Sequence, residues 1–165
     1  MTRSLILMRH AKSSWDDFML SDHDRPLNKR GIASARALGD WLRIKGYLPD
    51  CVISSTAMRT QETFEGLNLS VTPEYTRALY HAGAERMLDV LQGADGTCVL
   101  MMGHNPGIAD FVERLVNASP AHPRFLDYPT GATTVIQFDV DNWRDVRFGQ
   151  GTVQDFVIPR ELPGV

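Results

Sequence analysis

Arg9 with His10, Arg59 and His104 each stand at or just beyond the end of a short apolar run in a chain of 165 residues. Guanidinium groups bind phosphate-type oxygens in bidentate fashion, and a neutral imidazole is a competent nucleophile toward phosphorus. The stretch LILMRH, residues 5–10, sets a charged arginine and a titratable histidine directly against a run that reads as buried. Desolvating both is costly without compensation, so that end of the run calls for a partner. A lone histidine in such a place is ordinarily a satisfied structural residue. Two histidines and two arginines at equivalent ends of three runs point instead to one shared site.

The elements that must position them follow from periodicity. Residues 4–8 read as a buried strand. In 28–46 the apolar positions Ile32, Ala35, Leu38 and Leu42 recur at helical spacing, with Asn28 as N-cap and Gly46 as stop. Cys51 to Ile53 predicts a short strand leading through Ser54 and Ser55 into a helix over 56–67, with a further strand near 69–72. A helix is expected over 84–91, and the most strand-like run of all is TCVLMMG, 97–103. After it, Asn105 is a candidate N-cap with Pro106 in the first turn, and Ile108, Phe111, Val112 and Leu115 share one helical face. Strands follow over 132–140 and 152–158, and the Pro-rich piece at 119–129 reads as a surface loop. Strands alternating with helices imply crossover connections and a mainly parallel sheet covered on both faces.

Ligands of such sheets bind outside the carboxyl ends of the strands. That edge is where Arg9, His10, Arg59 and His104 gather. Two of the three junctions also open helices, whose free N–H groups and dipole favour an anion, so a phosphate-sized oxyanion is the best-matched ligand. With a phosphoryl group there, His10 is the nucleophile candidate and would carry a transient phosphohistidine, while Arg59 reaches the equatorial oxygens and His104 hydrogen-bonds them.

The bulk composition sets limits on this reading. A hydrophobic fraction of 43% and a charged fraction of 22% describe an ordinary globular protein, read here as a single domain over 1–165. A net charge of −3 with no Lys/Arg run argues against nucleic acid or a membrane surface as partner. Cys51 and Cys98 lie in apolar runs without metal-ligand spacing and read as core residues rather than redox or metal groups. The N-terminal apolar run is too short to span a bilayer and lacks a cleavage pattern, which makes the cytoplasm the expected location.

LMRHAKS resembles the RHG signature of the histidine phosphatase (phosphoglycerate mutase-like) superfamily, with Ala11 in place of the usual glycine, and GHNPG resembles its second-histidine motif. SSTAMRTQET is similar to the family's S-x-x-x-R-x-x-x-T element through Ser55, Arg59 and Thr63, and DRPLNKRGIASA, 24–35, resembles its R-x-L-T-x-x-G element. The small size, the RHAKS variant and the PREL tail resemble the short SixA-like phosphohistidine phosphatases in particular. The resemblance implies a three-layer α/β/α sandwich, mostly parallel with one antiparallel edge strand. It implies that His10 is phosphorylated, that Arg9, Arg59 and His104 hold the phosphoryl group without metal or other cofactor, and that Arg25 joins the pocket; otherwise Arg25 is a solvent-facing loop arginine.

Larger members of that family carry a glutamate that protonates an alcohol leaving group. Here the corresponding stretch is LYHAGAERML, with no such motif, and Tyr80, His81, Glu85, Asp22 and Asp24 remain open as acids. An alkoxide needs a positioned acid worth about 10²–10⁴-fold, whereas an imidazole leaves readily once its ring is protonated. The missing motif therefore favours phosphohistidine on a protein as substrate, with inorganic phosphate as product. A small-molecule phosphomonoesterase acting on a sugar or nucleotide phosphate is the alternative enzyme, and a phosphate- or phosphoprotein-binding module without turnover the alternative of another class. His81, His23 and His122 read as solvated loop histidines. Trp15, Phe18 and Met19 form either an apolar flap toward a substrate protein or a cap on the core, and a monomer is expected.

Overall fold

Four consecutive side chains of the first strand, Leu5 to Met8, have no exposure at all, and their alternation explains how. Leu5 and Leu7 point into one hydrophobic cluster, Ile6 and Met8 into another, so this strand is buried on both faces. The computed structural model describes residues 1–165. In chain order the elements are β1 (Arg3–Arg9), α1 (Lys29–Lys45), β2 (Cys51–Ser55), α2 (Met58–Leu67), β3 (Pro73–Thr76), α3 (Ala84–Gln92), β4 (Cys98–Gly103), α4 (Gly107–Leu115), β5 (Thr133–Phe138) and β6 (Thr152–Val157). Helices α1 and α2 cover one face of the sheet, α3 and α4 the other.

The sheet order is β3-β2-β4-β1-β5-β6. Strands β3, β2, β4 and β1 are parallel neighbours, and β5 pairs antiparallel with both β1 and β6. The one strand that runs against the rest thus lies second from the edge, and β6 restores the common direction outside it. The register that matters most pairs Arg9 with Gly103, because the next residue on each strand is a histidine. His10 donates its backbone N–H to the Gly103 carbonyl at 3.2 Å, and the two rings lie 5.2 Å apart.

Helix α1 begins as its sequence requires, with the Asn28 side chain accepting from the Gly31 N–H at 2.8 Å, and it ends at Gly46 with φ 75°. Ile32 is 52% exposed, contrary to its place in the apolar pattern. The inward face runs through Gly31, Ala35, Leu38 and Leu42, and it starts at a glycine because a Cβ there would stand 2.1 Å from the Lys12 carbonyl oxygen. That carbonyl also accepts from the Asn28 N–H, so the loop carrying the nucleophile candidate is clamped to the helix start. Gly31→Ala is expected to destabilise by about 1–3 kcal/mol, the usual range for overpacking, and to lower Tm by roughly 2–10 °C in thermal unfolding.

Other expectations shift. Strand β3 begins at Pro73 rather than near 69, on an edge where a missing N–H is tolerated, and Leu69 and Val71 pack on the α1/α2 core before the ladder starts. Asn105 does not cap α4. Its side-chain amide donates to the Asp127 and Tyr128 carbonyls, and Pro106 takes the cap position. The loop at 119–129 is more than a surface excursion, since Phe125 and Tyr128 are buried and the Tyr128 hydroxyl donates to the Leu7 carbonyl at 2.6 Å.

Candidate active site

At the carboxyl edge of β1, the His10 ring is buried, with Nδ1 2.7 Å from the Ala11 carbonyl oxygen. A carbonyl only accepts, so Nδ1 carries the ring proton and Nε2 keeps its lone pair. The Arg59 Nε–H points at that lone pair from 3.4 Å. Burial pushes the ring pKa well below its ordinary value; the Ala11 bond opposes this, and His104, Arg9 and Arg59 add to it. His10 is therefore neutral at physiological pH.

Arg59 reaches His10 because the first turn of α2 lies over the end of β2. Thr63, one turn further on, accepts from the Ala11 N–H at 3.0 Å and donates to the Arg59 carbonyl at 2.7 Å, tying α2 to the β1 loop. Ser55, the last residue of β2, holds the second imidazole: its hydroxyl oxygen lies 2.8 Å from His104 Nε2 and accepts from the Ala57 N–H. The hydroxyl can donate to Nε2, and in that tautomer the His104 proton sits on Nδ1. That Nδ1 is buried without a partner, as is Arg9 Nε. Arg9 is fixed by a bond from Nη1 to the Tyr128 carbonyl at 3.2 Å. Arg9 Nε, and His104 Nδ1 in that tautomer, are unmet buried donors of the kind that oxyanion oxygens satisfy.

Burial, reinforced by Arg59, pushes the His104 pKa down to about 3. Both rings bind fewer protons folded than unfolded, where histidine titrates near about 6.5. Their contribution to stability is therefore complete above that value and is lost as the pH falls toward their folded values. Between pH 6.5 and 4.5, stability should decline by up to about 1.4 kcal/mol per pH unit through His104, with His10 acting in the same direction, and Tm with it. His104→Gln should flatten the Tm profile measured over that window.

Asp22 is the residue that the spacing of motifs did not single out beyond naming it among possible acids. One carboxylate oxygen accepts from Arg59 Nη2 at 3.0 Å and from the Tyr80 hydroxyl at 2.7 Å, and its other oxygen accepts from Arg25 Nη2 at 3.1 Å. Its backbone carbonyl takes Arg59 Nη1 at 2.7 Å. Burial would raise its pKa, yet the bonds from Tyr80, Arg59 and Arg25 outweigh this and hold the carboxyl far below the usual range. Asp22 is thus an ionised counter-charge and a poor acid. The one sequence signal for it is its position three residues before Arg25 in SDHDR.

Arg25 is buried, not solvent-facing. It donates to the Ser13 hydroxyl and the Ser14 carbonyl, meets Asp22, and lies 3.6 Å from the centre of the Trp15 ring. It joins the cluster through Asp22. Trp15, Phe18 and Met19 are strongly exposed, Phe18 at 88%, so they do not cap the core. Of the other open acids, Glu85 sits outside the site on Arg114 at 2.8 Å, and Asp24 is exposed beside His23. Tyr80 and His81 stand at the mouth: the Tyr80 ring is 5.5 Å from His104 and 4.0 Å from His81, whose Nε2 is 3.4 Å from Asp22. His23 and His122 are not freely solvated. His23 bonds Thr56 at 2.8 Å, and His122 bridges Glu161 at 3.0 Å and the Arg124 N–H.

The model of the histidine phosphatase superfamily (branch 1) matches residues 5–80. An uncharacterized protein of Mycobacterium tuberculosis (strain H37Rv) is 31% identical over 160 residues, covering 93% of this chain and 100% of its own. An uncharacterized chloroplastic protein of Arabidopsis thaliana is 36% identical over 133 residues, 72% of this chain; the match spans 61% of that relative's length. Among solved structures, a candidate phosphohistidine phosphatase SixA from Nakamurella multipartitia superposes with a TM-score of 0.83 at 31% identity, over 96% of this chain and 97% of its own.

Proposed function

The chain belongs to the histidine phosphatase superfamily and is SixA-like, and on that premise we propose that it removes the phosphoryl group from phosphohistidine on a protein through a phosphoenzyme at His10. The observation that carries this reading is the His10 ring, neutral, with its proton committed to the Ala11 carbonyl and its Nε2 lone pair facing Arg59. The substrate ring enters protonated from solvent on its other nitrogen; in the first step Nε2 forms a bond to phosphorus as the P–N bond breaks, and the imidazole leaves neutral, its P–N electron pair retained on the departing nitrogen. Water then attacks the phosphoenzyme, restoring His10 and releasing inorganic phosphate. In both steps Arg59, Arg9 Nε and His104 Nδ1 supply donors to the equatorial oxygens, where charge develops.

The acids support the proposed substrate class. Asp22 is held ionised and Glu85 is engaged by Arg114, so neither carboxyl is placed to protonate an alkoxide. Tyr80 favours the ester reading in one respect, being a hydroxyl at the mouth, but its proton is already given to Asp22, and burial and that bond raise its pKa. Phosphate release from a histidine-phosphorylated protein, run beside sugar and aryl phosphates, tests the proposal. Preferential release from phosphohistidine is the expected result; faster ester cleavage would identify Tyr80 or His81 as an acid and the small-molecule reading as right, and binding without release from either would leave a phosphate-binding module.

A further inference from the structure

Beside the β5–β6 side of the site lies a cleft of about 230 Å³ whose walls include Lys12, Arg30, Arg124 and Arg160. No carboxylate lines it. Arg124 is paired with Asp127 at 2.9 Å, whereas Lys12, Arg30 and Arg160 have no carboxylate within ion-pair distance. Three uncompensated cations on one cleft stand out in a chain whose net charge is −3. Clustered like charges repel, so the cleft carries a standing preference for an anionic partner.

Its walls are fixed relative to the nucleophile. Lys12 is two residues past His10, and its carbonyl is clamped at Gly31. The His10 carbonyl accepts from the Gly131 N–H at 2.9 Å, next to Thr130 in the cleft wall. Gly131 itself lies so close to Pro159 that a Cβ would come within 2.4 Å of its ring, which seats Arg160 against the same loop. The cleft and His10 therefore open on the same edge of the sheet.

We infer that this cleft docks an acidic surface of the phosphoprotein substrate, a reading that rests on the activity proposed above. A small anion held tightly needs buried, preorganised donors. Here Lys12, Arg30 and Arg160 are exposed, an arrangement that steers and orients an extended charged surface and acts on encounter more than on chemistry.

The probe is an acidic protein phosphorylated on histidine by treatment with phosphoramidate, with a basic protein prepared in the same way and phosphoramidate itself as comparisons. Arg30→Glu and Arg160→Glu, both exposed and outside the catalytic cluster, are expected singly to raise KM for the acidic phosphoprotein about 3- to 10-fold with kcat within about 2-fold. Turnover of phosphoramidate should not change, KM of the parent for the acidic protein should rise with salt more steeply than that of either variant, and the basic phosphoprotein should not lose by the substitutions. An unchanged KM with the acidic protein, or an equal loss with phosphoramidate, would overturn the docking role while leaving the phosphohistidine activity standing. A parent enzyme that cleaves esters but neither phosphoprotein would overturn both.

Discussion

His10→Ala should lower the turnover of phosphohistidine by at least about 10⁴-fold, the scale on which removal of an attacking group acts. The loss is expected in kcat, since the proposed oxyanion donors, Arg59, Arg9 and His104, belong to other residues and stay in place. Binding of tungstate or phosphate, followed as a rise in Tm, should therefore survive within about tenfold. The parent enzyme, quenched during turnover, should show phosphate bound through an acid-labile, alkali-stable linkage, and the variant should show none. Turnover in His10→Ala at the parent rate would remove His10 from the role assigned to it, and a phosphoenzyme in that variant would move the nucleophile to His104. The small ring cavity left in place of His10 costs stability as well, so folding is checked by circular dichroism before rates are compared.

Arg59→Ala is expected to cost about 10³–10⁵-fold in kcat, the span by which an arginine aimed at a transferring phosphoryl group accelerates it. Arg59 is the side chain that touches both His10 Nε2 and Asp22, so its removal also frees the Asp22 carboxylate to turn toward the pocket. Unlike the His10 variant, this one should lose the rise in Tm produced by tungstate. Arg59→Lys keeps the charge but not the planar fork, and it should recover only a minor part of the rate. Asp22→Asn separates the two effects: with Arg59 intact and its counter-charge removed, anion binding should tighten. Weaker anion binding in Asp22→Asn would mean that Asp22 positions Arg59 more than it competes for it.

Arg59 and Asp22 also show where local sequence stops being informative. The short apolar runs and helical faces are local features with a fixed period, and they placed β1, α1, β2, α2, α3, β4 and α4 to within a few residues. The ends of those elements carried the chemistry, because a strand's last residue and a helix's first turn lie at a predictable edge of an α/β sheet. Arg9, His10, Arg59 and His104 were therefore legible as a group. The segment 119–129 was not, since Phe125 and Tyr128 lie in a stretch flanked by Pro123 and Pro129 with no helical or strand period, and they enter the core beside β1 only through the tertiary fold.

The sequence by itself determined the layered α/β architecture, the gathering of two histidines and two arginines at one edge, and the resemblance to histidine phosphatases through four ordered motifs. Only the tertiary structure decided which ring nitrogen of His10 is free, because the Ala11 carbonyl that takes the other proton depends on the turn of the chain after β1. It alone decided that Asp22 is an ionised counter-charge. The carboxylate is held by three groups from 3 to 58 residues away, and no pattern along the chain encodes a charge whose state is set by neighbours brought together through folding.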